Sequence, residues 1–175
     1  LSVSEIVNQI LAVRKTLSGK SSITNIVLMG MGEPLANYKN TLKAIELMHH
    51  PDAFKFSSRR ITLSTVGLLP ELERLSKEKI TFRLAISLNA TTEELRRELM
   101  PAASEIASLK SLLAACRRYP LAPTRRLTFE YVLLANVNDR PMDAQRLTTL
   151  LRGMKCKVNL IPFNPWPGAI YECST

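Results

Sequence analysis

Short apolar stretches alternate with helical patterns along almost the whole sequence, and this alternation restricts the fold more than any other feature. Strands are predicted at residues 23–29, 60–63, 81–88, 127–134 and 158–162. Helices are predicted at residues 4–15, 41–49, 70–77, 93–99, 109–118 and 143–152. Strands separated by helices are typical of parallel βα units. The sequence therefore predicts an α/β fold, built either as a TIM-like barrel or as a doubly wound sheet.

Composition and charge narrow the class of protein. Hydrophobic residues make up 46% of the 175 residues, enough to bury the core of one domain spanning residues 1–175. No apolar stretch approaches the length of a membrane span, so we expect a cytoplasmic protein with no membrane partner, and we expect it to be a monomer. The formal net charge of +9 favours binding to polyanions, which makes RNA the candidate partner.

The cysteines do not form a recognisable motif. Cys116, Cys156 and Cys173 are widely separated and odd in number. This spacing argues against a disulfide scaffold and against a metal site built from these residues, and we assign no metal ligand or catalytic residue in the chain. Cys116 is predicted to be a small buried thiol on a helix face.

Polar residues follow the predicted strands where each strand ends. Two glycines and Glu33 come directly after the first strand, whose nearly continuous apolar run predicts burial on both faces. Glycine lets the backbone bend sharply, and the carboxylate can accept hydrogen bonds from a cationic amine. Ser64, Ser87, Asn89 and Asn164 lie at or just beyond later strand ends, where both candidate folds place their ligand sites. Each residue alone is equally typical of a turn or a helix cap.

Five sequence blocks, taken together and in order, resemble one known family. They are MGMGEPL at 29–35, RRITLST at 59–65, LAISLNA at 84–90, EYVL at 130–133 and NLIPFNP at 159–165. The same blocks occur in the RlmN/Cfr family of radical-SAM methyltransferases, which methylate C2 of adenine in 23S ribosomal RNA and in some cases act on transfer RNA. The resemblance covers residues 1–174, nearly the whole chain.

The resemblance implies a partial TIM-like (βα)6 radical-SAM barrel, with five parallel strands in sequence order and an open sheet that lacks the first strand. It implies S-adenosylmethionine as the cofactor, bound by Gly32, Glu33, Ser64, Ser87, Leu88, Asn89 and Asn164. The family's [4Fe-4S] cluster cysteines and its methyl-carrying cysteine match none of the three cysteines here. We therefore expect the cluster only in a full-length parent protein, and we expect this chain alone to be inactive.

Two other functions remain open from the residues. The first is a radical-SAM enzyme with another substrate, because one barrel fold hosts many chemistries. The second is a non-catalytic RNA-binding module that uses an arginine surface. That surface would contain Arg96, Arg97, Arg117, Arg118, Arg125 and Arg126. A further expectation concerns the sheet: its first strand should pair on one side only, with the strand that contains Ile61.

Overall fold

The structure is a computed structural model that describes residues 1–18, 21–78 and 80–174. The helices are α1 (Val3–Thr16), α2 (Tyr38–His49), α3 (Leu69–Ser76), α4 (Glu93–Leu99), α5 (Pro101–Ile106), α6 (Leu109–Arg118) and α7 (Pro141–Leu151). The strands are β1 (Ile26–Leu28), β2 (Ile61–Thr65), β3 (Arg83–Ser87), β4 (Leu127–Leu133) and β5 (Cys156–Pro162). Two 3-10 turns, Pro34–Asn37 and Ser58–Arg60, precede α2 and β2. Helices therefore connect successive strands, as the alternating pattern predicted.

The five strands form one sheet in the order β1-β2-β3-β4-β5, and all neighbouring strands are parallel. A doubly wound sheet would reverse its strand order at a switch point, and this sheet does not. The prediction of an open parallel sheet in sequence order is confirmed. Within the described residues, Val27 of β1 pairs with Thr62 of β2 and with no other strand, as expected.

The core lies between the sheet and the helices behind it. Ile61, Leu63, Ile86 and Phe129 on the central strands are fully buried, as is Leu112 on α6. Cys116 on the same helix is 4% exposed, which confirms its prediction as a buried thiol. No helix in the described part of the chain is both long and apolar enough to cross a lipid bilayer.

The first strand differs from its prediction. Only three of the residues from 23 to 29 are in β1, and Val27 is 53% exposed. The expectation of a strand buried on both faces is therefore wrong. The physical reason is its position: β1 is at the edge of the sheet, where among the described residues only β2 pairs with it, and its residues alternate between half-buried and exposed. Periodicity also missed α5, a six-residue helix that begins directly after α4 at Pro101.

Candidate functional site

A cavity of about 470 Å³ opens at the carboxyl ends of β1, β2 and β3. Its walls come from the loop after β1, from the strand ends and from the side of α1. Gly32, Glu33, Ser64 and Ser87 line it, so four of the seven residues predicted to bind the cofactor share one cavity. Parallel sheets of this class place their ligand sites at this edge.

The loop after β1 needs glycine for its conformation. Gly30 has φ of 125° and Gly32 has φ of 83°, values that residues with a Cβ rarely adopt. A Cβ built at Gly32 would meet no atom within 4 Å, so the space beside this backbone is open. The loop therefore bends sharply beside the cavity, as the two glycines predicted.

Glu33 connects this loop to the end of β2. One carboxylate oxygen, Oε1, accepts a hydrogen bond of 2.9 Å from the Leu35 backbone N–H. The other, Oε2, accepts one of 2.8 Å from the backbone N–H of Val66. Each carboxylate oxygen can accept two hydrogen bonds, so both keep capacity for a ligand amine.

A row of polar side chains crosses the sheet beside the cavity. The Oγ atoms of Ser64 and Ser87 are 3.5 Å apart. Ser87 is in register with Glu130 on β4, and Glu130 with Asn159 on β5. Glu130 is 7% exposed, and its Oε2 accepts a 2.6 Å hydrogen bond from Asn159 Nδ2. We assigned Glu130 no role from the sequence, although a lone carboxylate in the apolar segment LTFEYVL is a signal that could have marked it.

The remaining predicted residues do not line this cavity. Leu88 is fully buried, and its backbone N–H donates to the Glu130 carbonyl at 2.9 Å. Asn89 has φ of 55°, and its Oδ1 accepts a 3.0 Å hydrogen bond from the Val132 backbone N–H. Asn164 is exposed and lies two residues beyond β5. The structure therefore brings Gly32, Glu33, Ser64 and Ser87 together, but not these three with them.

The predicted arginine surface is wrong for Arg96. This side chain is fully buried, whereas Arg97, Arg117, Arg118 and Arg126 are exposed and Arg125 is half-buried. Arg96 instead donates to backbone carbonyls at the ends of β2 and β3. Burial lowers the pKa of its guanidinium. Helical spacing alone does not distinguish such an inward arginine from its exposed neighbour.

The cysteines do not fit a [4Fe-4S] cluster. Cys116 is buried on α6, Cys156 begins β5 at the opposite edge of the sheet from the cavity, and Cys173 is exposed after β5. Burial raises the pKa of the Cys116 thiol to about 12. Because iron is bound by the thiolate form, this buried thiol is poorly suited to hold a cluster. No group of three metal-binding side chains occurs within residues 1–18, 21–78 and 80–174.

S-adenosylmethionine, by contrast, fits the donor set of the cavity. It carries a cationic amine, a carboxylate and ribose hydroxyls. Glu33 offers an acceptor for the amine, and Ser64 and Ser87 offer hydroxyl groups that both donate and accept.

Comparison with known proteins agrees with this fold. Residues 2–147 match the Radical SAM superfamily. A protein of Syntrophobacter fumaroxidans named dual-specificity RNA methyltransferase RlmN is 53% identical over 172 residues, which cover 98% of this chain and 50% of that protein. A protein of the same name from Geobacter sulfurreducens is 51% identical, over 98% of this chain and 46% of its own length.

A solved structure is similar to this chain over its whole length. The crystal structure of a radical SAM methyltransferase from Sphaerobacter thermophilus has a TM-score of 0.91 and 43% sequence identity, covering all of this chain and 51% of that one. This chain therefore spans about half the length of these relatives, and the resemblance to RlmN extends over nearly its whole length. On sequence and on fold together, the chain belongs to the radical SAM superfamily.

Proposed function

We propose that this chain is the S-adenosylmethionine-binding part of a methyltransferase that methylates C2 of adenine in 23S ribosomal RNA, with transfer RNA as a further candidate substrate. We place this activity in the cytoplasm and in a monomer. The observation that carries the proposal is the cavity at the carboxyl edge of the sheet, lined by Gly32, Glu33, Ser64 and Ser87. The name of the relatives, RNA methyltransferase, favours RNA over a small-molecule or peptide substrate.

Each lining residue has a distinct part in the proposed site. The Glu33 carboxylate accepts hydrogen bonds from the methionine amine through its free lone pairs. Ser64 and Ser87 bind the ribose hydroxyls and the methionine carboxylate, and the open backbone at Gly32 lets the ligand approach closely. By the family resemblance, Leu88 and Asn89 extend the ribose and carboxylate contacts of Ser87, and Asn164 lies near the adenosine. When it is bound, S-adenosylmethionine supplies the methyl group that is transferred.

The chain alone is proposed to be inactive. Its three cysteines lie in different parts of the fold, so within the described residues they cannot jointly hold a cluster. A purely RNA-binding role is less well supported for two reasons. Arg96 is buried and therefore cannot belong to the arginine surface, and RNA binding alone does not explain a polar cavity.

Calorimetric titration with S-adenosylmethionine tests the binding proposal. We expect the unaltered chain to bind, and Glu33→Gln to weaken binding by about 1.5–3 kcal/mol, the usual contribution of a hydrogen bond to a charged group. Glu94→Gln on α4 is the matched control, because Glu94 is exposed and does not line the cavity. Its affinity should equal that of the unaltered chain.

Two results would contradict the proposal. No heat of binding from the folded, unaltered chain would refute a binding site, and equal affinities of Glu33→Gln and the unaltered chain would remove Glu33 from it. The inactivity is tested by incubating the chain anaerobically with iron, sulfide, a reductant, S-adenosylmethionine and 23S ribosomal RNA. Mass spectrometry of the digested RNA should show no new 2-methyladenosine.

A further inference from the structure

Arg96 is the largest of the fully buried side chains. Charged residues are rarely buried completely without a partner of opposite charge, because removing them from water is costly. Within the described residues, however, no carboxylate lies within ion-pair distance of Arg96. Its Nε–H is also buried without a hydrogen-bond partner there. The fold therefore keeps a charged group in its interior at a cost in folding free energy.

The acceptors of Arg96 show what it holds in place. Nη2 donates to the Val66 carbonyl at 2.9 Å, and Nη1 donates to the Leu88 carbonyl at 3.2 Å and to the Ser87 carbonyl at 3.4 Å. All three carbonyls lie at or just beyond the carboxyl ends of β2 and β3. Val66 and Ser87 also line the cavity. The guanidinium therefore ties together two strand ends directly behind the cavity wall.

Val66 is fixed at both of its backbone polar groups. Its N–H donates to Glu33 Oε2 at 2.8 Å, and its carbonyl accepts from Arg96. A shift of this peptide would move the hydrogen bond that orients the Glu33 carboxylate. On the other side, the Met100 sulfur lies 3.7 Å from Arg96 Nη1 and 3.5 Å from Asn89 Nδ2. Arg96 thus contacts, directly or through one residue, both segments that form the proposed site.

We propose that Arg96 is a positioning residue that sets the geometry of the S-adenosylmethionine site through Val66 and through Ser87 and Leu88; this inference rests on the proposed function. The side chain does not reach the ligand, because it is fully buried behind the cavity wall. Its planar fork directs separate N–H groups to two strand ends at once, which a lysine ammonium at the end of a flexible chain does less well.

A double-mutant cycle with Glu33 measures this role. We expect Arg96→Met to weaken S-adenosylmethionine binding about tenfold, and Arg96→Lys to restore part of that loss. Because Arg96 acts on Glu33 through Val66 and separately on Ser87 and Leu88, the double variant Arg96→Met/Glu33→Gln should lose less affinity than the two single losses combined. Arg83→Met is the matched control, since Arg83 is exposed at the amino end of β3 and should leave the affinity unchanged.

Backbone hydrogen exchange provides a readout that needs no ligand. In Arg96→Met, the amides of Val66 and Leu88 should exchange about tenfold faster than in the unaltered chain, while the amides of β5 should not change. If Arg96→Met does not fold, the same two measurements on Arg96→Lys decide, with weaker binding and faster exchange expected.

Affinity within about twofold of the unaltered chain, independent losses in the double variant, or unchanged exchange at Val66 would each overturn the positioning role. If the unaltered chain binds no S-adenosylmethionine, the proposed function fails, and the exchange at Val66 still decides whether Arg96 fixes this peptide.

Discussion

Asn138 is the side chain whose removal should weaken the carboxyl edge of β3 and β4 most directly. It is 1% exposed in the turn that follows β4. Its Oδ1 accepts a 2.8 Å hydrogen bond from the Leu134 backbone N–H. Its Nδ2 donates to the Asn89 carbonyl at 2.9 Å and to the Val132 carbonyl at 2.8 Å. A single amide therefore satisfies three backbone groups and holds Asn89 in its left-handed conformation.

The expected cost of Asn138→Ala follows from these three bonds. Each hydrogen bond contributes about 1 kcal/mol net, and leaving its buried partner unpaired adds to the loss. We therefore expect the free energy of unfolding to fall by about 3–4 kcal/mol. For a chain of this size that corresponds to a decrease in Tm of roughly 6–16 °C.

Urea denaturation followed by circular dichroism measures the change. Asn8→Ala is the matched control, because Asn8 is exposed on α1 and its removal should change the free energy by no more than about 0.5 kcal/mol. A loss below about 1 kcal/mol for Asn138→Ala would refute the view that this amide fixes the turn.

Asn138→Asp keeps the shape of the side chain but changes its hydrogen-bonding groups. The carboxylate keeps the acceptor for Leu134 but turns a negative charge towards two carbonyl oxygens, which raises the pKa of the new carboxyl above its usual value. Its protonated form is the one that the folded state favours. The variant should therefore be most stable relative to Asn138→Ala below the ordinary aspartate pKa of about 3.9, and should lose that advantage as pH rises. A parallel pH dependence of the two variants would show that the carbonyls do not face the side chain.

Two further predictions use the interior of the sheet and its helices. Gly67→Ala should lower the free energy of unfolding by about 2–4 kcal/mol, because its φ is 92° and a Cβ there would lie 2.3 Å from Cδ1 of buried Leu112. Gly153→Ala, with φ of 78° and no atom within 4 Å of its Cβ, should lose only about 1–2 kcal/mol in the same urea titration, and equal losses would contradict the steric argument. At pH 8, iodoacetamide should label exposed Cys173, while Cys116 should stay unmodified until denaturant is added. Burial raises the pKa of Cys116 to about 12, so at this pH about one Cys116 in ten thousand is a reactive thiolate. Peptide mass spectrometry measures both sites, and early labelling of Cys116 would show that α6 opens.

Sequence patterns located most elements well, but they missed α5 and made β1 too long. The predicted bounds of α4 and α6 match the structure, because each helix has a side-chain cap at its start, Thr92 and Ser108 respectively. The parallel direction of the strands followed from the βα alternation, since parallel strands need a crossover, whereas the strand order came from the resemblance to the RlmN/Cfr family. The length of β1 could not be predicted in this way, because apolar residues 23–29 look the same whether they are paired on one side or on two.

In the site, too, some residues could be predicted from the sequence and others could not. Gly32, Glu33, Ser64 and Ser87 could be predicted because the carboxyl ends of neighbouring parallel strands meet at one end of the sheet, whereas Asn89 and Asn164, selected by the same argument, lie outside the cavity. Arg96 and Asn138 could not, because their roles depend on backbone carbonyls that a sequence does not display. Both residues use buried donors to fix carbonyls at the ends of β2, β3 and β4. The polar groups that face the cavity are therefore readable from the sequence, whereas the groups that hold them in place become visible only through the hydrogen bonds of the folded chain.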